Sequence, residues 1–108
     1  MRSKEKVPKR LIRAYHIRDP KTGKDGPWLA GMTLDPEVVC EAWCHERGYV
    51  CMIEEIGGRP IRAGQSFSAA FVVGFFDSIP EMEHVYDQYA GHNSLTVDAK
   101  GWKLGKLP

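Results

Sequence analysis

The segment "SFSAAFVVGFFD" at residues 66–77 constrains the fold more than any other, because it is apolar on both of its sides. An extended strand sends successive side chains to opposite faces of a sheet, so a strand wetted on one face alternates apolar with polar residues. Here Phe67, Ala69, Phe71, Val73 and Phe75 fall on one side, and Ala70, Val72 and Phe76 on the other. Covering one side leaves a second apolar side without a neighbour. The same holds for "YVCMIEEI", where Tyr49, Cys51 and Ile53 oppose Val50, Met52 and Ile56. It holds again for "WLAGMTL", where Trp28, Ala30, Met32 and Leu34 oppose Leu29 and Thr33.

Three further signals order the chain. "RLIRAYHIRD" is rich in β-branched and aromatic residues and runs into "PKTGKDGP", whose Pro, Gly and Asp-Gly steps predict a hairpin-like return. Asp35-Pro36-Glu37 reads as a helix start, with Asp as cap, Pro at the first position and an acid near the positive end of the dipole. Val39, Cys40 and Trp43 then group on one side of a helical wheel, and Gly48 supplies a stop. Ser78-Ile79-Pro80-Glu81 has the spacing of a capping box, followed by Ile79, Met82, Val85, Tyr86 and Tyr89 on one arc and Gly91 at the end. "SLTVDA" is a short final strand.

The predicted order is β-β-α-β-β-α-β. Two split β-α-β units with antiparallel central strands describe an α+β, ferredoxin-like two-layer sandwich (βαββαβ), here with an additional N-terminal β-strand and both helices on one sheet face. A chain of 108 residues forms a single hydrophobic core without metal or disulfide staples. The expected organisation is a basic arm at 1–9, one α+β domain at 10–99, and a Lys/Gly-rich C-terminal tail at 100–108 that holds Trp102.

Hydrophobic residues at 43% and charged residues at 27% argue against disorder, and a net charge of +1 gives no global electrostatic instruction. Its distribution is uneven: Lys6, Lys9, Arg10 and Arg13 belong to a basic cluster at the N-terminus. Such a cluster can track phosphates. No stretch has the apolar length of a membrane span and no secretory signal is read, so three cysteines point to reduced thiols in a cytoplasmic compartment.

Chemistry-bearing residues form no recognisable constellation. Cys40 and Cys44, four apart, share a helical face with Cys51 following, but the spacing matches no zinc motif, and buried thiols pack as small hydrophobes. The histidines at 16, 45, 84 and 92 are scattered, and no nucleophile elbow or phosphate loop is present. The expectation is no catalytic residue, no metal and no cofactor.

"SAAFVVGFF" resembles the third-strand motif of RNA-recognition domains and "WLAGMTL" their first, although Ala69 stands where a stacking aromatic is usual. "FSAAFVVGFFDSIPEM" equally resembles the strand-to-helix start of SPOR peptidoglycan-binding domains. Likeness to two families of one architecture implies the architecture and no particular function. The leading expectation is a non-enzymatic module that works through its apolar sheet face, by homodimerising or gripping a protein partner, with Phe67, Phe71, Val73, Phe75 and Ile53 at the interface. The alternative is RNA or single-stranded DNA bound by Lys6, Lys9, Arg10 and Arg13 together with sheet aromatics. The third is a small enzyme with a pocket between sheet and helices. No membrane partner is expected.

Overall fold

A computed structural model describes residues 8–44, 52–56 and 60–107, the stretch 40–44 by its backbone alone. The chain runs β1 (Leu11–Arg18), β2 (Asp25–Thr33), a single 3₁₀ turn (Pro36–Val38), β3 (Val39–Cys44), β4 (Met52–Ile56), β5 (Phe71–Phe76), α1 (Ile79–Tyr89), β6 (Ser94–Asp98) and β7 (Gly101–Gly105). These strands form three antiparallel sheets: a three-stranded sheet in the order β1-β2-β5, a β3–β4 pair and a β6–β7 pair. The architecture is α+β, but it is not a ferredoxin-like βαββαβ sandwich with two helices.

The correction lies between residues 35 and 44. The helix start read there is real as a local signal, since the Asp35 carboxylate accepts the Glu37 N–H at 3.3 Å and Pro36 follows the cap. It lasts one turn. Val38 and Val39 are β-branched and stiff in a helix, and both bury against Leu11, which favours an extended course over another helical turn. Local capping thus loses to the burial of two valines. Gly48, read as the stop of this helix, and His45 lie outside the described residues. In a strand, Cys40 and Cys44 are separated by four rises of about 3.3 Å rather than by one helical turn. Cys51 also lies outside the described residues.

The β1–β2 hairpin forms as the sequence predicts. Asp19 Oδ1 accepts the Lys21 N–H at 2.8 Å, the Asp19 carbonyl accepts the Gly23 N–H at 2.8 Å, and Gly23 sits at φ 72°, where a side chain would be strained. The helix α1 starts where the capping box places it. Ser78 Oγ accepts from the Glu81 N–H at 3.2 Å, while the Glu81 carboxylate reaches back to the Asp77 N–H at 2.8 Å. The Lys/Gly-rich stretch read as a tail pairs with β6 from Ser94 opposite Gly105 to Asp98 opposite Gly101.

The alternation read in β2 and β5 holds, while Tyr49, Val50 and Cys51 of the other strand so read lie outside the described residues. Ala30, Met32 and Phe76 face α1 and meet Met82 and Tyr86 in the main core, with Ile12, Val72 and Val85 packed around them. The Tyr86 hydroxyl donates to the Thr33 carbonyl at 2.8 Å, and burial raises the pKa of this phenol. The other sheet face carries Leu11, Arg13 and Tyr15 from β1, Leu29, Gly31 and Thr33 from β2, and the odd-numbered residues of β5. One end of that face is covered by the chain itself. Thr33 Oγ1 donates to the Glu54 carboxylate at 2.6 Å, and the Met52 Sδ lies 2.9 Å from where a side chain at Gly31 would begin. A side chain at 31 would displace the flexible end of Met52.

Candidate apolar interaction site

The uncovered end of the second face is β5. Its inward residue Phe76 is buried, whereas Phe71, Val73 and Phe75 remain 46%, 71% and 68% exposed. Burying such side chains stabilises by roughly 1.5–3 kcal/mol each, so three in a row on one strand are a sizeable unused source of binding energy. Their main chain is open as well. The Leu34 N–H donates to the Ala70 carbonyl, which makes 34 and 70 a hydrogen-bonded pair. Antiparallel ladders alternate, so with Met32 opposite Val72 and Ala30 opposite Gly74 the even-numbered residues of β5 bond to β2. The N–H and C=O groups of Phe71, Val73 and Phe75 consequently point away from the sheet, at an edge that no strand occupies among the described residues.

Beside this edge lies a groove of about 640 Å³. One wall is Phe71, Val72 and Val73; the other is Leu95, Leu104 and Trp102 of the β6–β7 pair. The pair presents Leu95 opposite Leu104 and Val97 opposite Trp102 on one of its faces, and Leu104 alone of these four is buried. Among the described residues the lining carries no histidine, cysteine or charged side chain. That lining is mainly hydrocarbon, with Ser68, Asn93 and Ser94 as the polar side chains.

The five residues read as an interface do not all meet. Phe71, Val73 and Phe75 form one row. Phe67 precedes the ladder and borders a separate, more polar depression with Asp35 and Glu37. Ile53 stands on β4, opposite Trp43, in a different sheet. Leu95 and Trp102, which complete the groove, were legible as the alternating pairs Leu95/Val97 and Trp102/Leu104 about a four-residue turn; the lysines between them masked the pattern.

The basic residues are dispersed. Lys6 lies outside the described residues, and Lys9 is exposed. Arg10 bridges to α1, with Nη1 2.6 Å from Glu83 Oε2, and Nε and Nη2 each 2.8 Å from an Asp87 oxygen. The pairing lowers the pKa of Asp87 and raises that of Arg10. Arg13 is half-buried on the second face, where its register partner is Gly31. His16 stacks on Trp28 with ring centroids 4.2 Å apart. Among the described residues no group of three or more His, Cys, Asp or Glu side chains could hold a metal ion, and no helix is long and apolar enough to cross a membrane. Comparison with protein-family models, with curated proteins and with solved structures found no match to this chain.

Proposed function

We propose that this chain is a protein-binding module whose working surface is the exposed row Phe71, Val73 and Phe75 with the adjoining groove walled by Leu95 and Trp102. The observation that carries the reading is the coincidence, on one strand, of unburied aromatic and aliphatic side chains with main-chain donors and acceptors that no strand among the described residues pairs. Side chains alone would suit any apolar ligand. The open main chain adds a requirement for alternating donors and acceptors at strand spacing, and an extended polypeptide supplies that.

A photoreactive phenylalanine analogue placed at Val73 tests this in the cells the protein comes from. The expected result is a discrete protein adduct from position 73, absent when the analogue is placed at Lys21 in the β1–β2 turn. A chain that yields no protein adduct from 73 or 75 would end the reading.

A further inference from the structure

We propose that the partner at this edge is a second copy of the same chain, joined through β5 to β5 about a two-fold axis at Val73. The inference rests on the module reading above and names its occupant. Three features of β5 point to a copy of itself.

The first is register. An antiparallel pair centred on Val73 sets Val73 against its counterpart and Phe71 against Phe75 of the second copy. All of these residues carry outward N–H and C=O groups, so each facing pair is a hydrogen-bonded pair that exchanges both bonds. The second is palindromy. Phe71, Val73 and Phe75 read the same in both directions, so the pairing stacks aromatic on aromatic at both ends and valine on valine at the centre. Cross-strand aromatic and β-branched pairs are among the favourable ones. A two-fold interface uses one patch twice and therefore needs this self-complementarity. The third is charge. Neither β5 nor the groove's lining among the described residues carries a charged side chain, so two identical surfaces meet there without like-charge repulsion.

The area is sufficient for a weak, reversible dimer. Phe71, Val73, Phe75, Leu95 and Trp102 keep between 46% and 71% of their surface exposed. With aromatic side chains presenting ~150–250 Å² each, they offer on the order of 500 Å² per copy. Two copies then bury on the order of 1,000 Å², the lower bound for a specific interface. The product is one continuous six-stranded sheet, in the order β1-β2-β5 followed by its mirror sequence of strands, with the Val72 side of each β5 laid over the other copy's groove.

Sedimentation of the full chain across concentration, combined with residue-resolved amide exchange, tests the arrangement. The expected result is a concentration-dependent dimer in which the Phe71, Val73 and Phe75 amides become protected as the dimer forms. Val73→Lys places two like charges on the axis and should weaken association at least tenfold. Val73→Pro removes only an outward N–H, leaves the β2 ladder its donors and should have the same effect, so misfolding of one variant does not hide the answer. A chain that stays monomeric up to millimolar concentration overturns the proposal. So does a dimer whose three amides exchange as freely as in the monomer. If the adduct at position 73 is a different protein, self-pairing fails while the module reading stands; if there is no adduct at all, both fail.

Discussion

The three-stranded sheet has two edges, and they are built differently. Along β1 stand Arg13, His16 and Arg18, and the register with β2 slips between His16 and Arg18. Along β5 stand only phenylalanine, valine and glycine, in unbroken register. Since the even-numbered residues of β2 bond to β5, the odd ones bond to β1, and the outward amides of β1 belong to Ile12, Ala14 and His16. Ile12 and Ala14 line a smaller groove of about 430 Å³ rimmed by Lys9, Arg10 and Glu83. Charges and bulges are the usual devices by which a sheet edge refuses another strand. The same sheet thus blocks one edge and leaves the other ready for a strand. An apolar edge on a protein able to protect edges is better explained by use than by neglect.

The contrast can be broken by substitution, and the largest effect belongs to the alternation along β5. Phe76→Ala should cost about 3–5 kcal/mol, as for other buried aromatics, whereas Phe75→Ala should stay within about 0.5 kcal/mol when unfolding in urea is followed at dilute concentration. Equal losses would mean that both sides of β5 are core, and the open edge would disappear with them.

A smaller effect is expected at Tyr86, whose hydroxyl ties α1 to β2, the strand that both edges share. Tyr86→Phe should cost about 1 kcal/mol and raise amide exchange on β1 and β5 alike. Because burial raises its pKa in the folded state, the phenol contributes stability that is complete below the unfolded value of about 10 and declines as pH rises beyond it. Alkaline titration of stability should show this decline in the native chain and lose it in the Phe variant. Softening confined to β5 would show that α1 supports one edge only.

The smallest effect concerns Arg10, which is exposed enough for water and salt to screen its pairs with Glu83 and Asp87. Arg10→Ala should quicken exchange at Arg13 and Tyr15, whose amides bond to β2, and leave the β2-bonded amides of Val72 and Gly74 untouched. Arg10 lowers the pKa of Asp87, so the pair's contribution is present above the ordinary carboxylate pKa of about 3.9 and is lost as pH falls below it. Exchange at β1, corrected for the intrinsic rate, should therefore rise on acidification in the native chain and stay flat in the variant. A matching rise at β5 would tie the two edges together.

Much of the sheet was legible because its signals are local and agree with one another. The turn after Asp19, the alternation of Trp28 to Leu34 and the Ser78 cap each follow from chemistry within a few residues. The stretch from Asp35 to Cys44 was misread because cap and propensity conflict there, and the deciding contact, Val38 and Val39 on Leu11, joins residues far apart in sequence. Trp102 and Leu104 were taken for a tail since Lys100, Lys103 and Lys106 dominate the composition, although Gly101 at φ 130° marks a turn that a strand pair requires. The row Phe71, Val73, Phe75 was legible as a face because period two fixes it. Ile53 was not separable from that row, since periodicity assigns a side but never a sheet.

The contact between Met52 and the bare backbone at position 31 has a historical consequence. Even the methyl of an alanine there would stand 2.9 Å from the thioether sulfur, so the methionine would have to swing aside. Because that sulfur lies near the free end of a flexible side chain, a descendant of this sequence can gain a methyl at 31 by turning the residue at 52 aside.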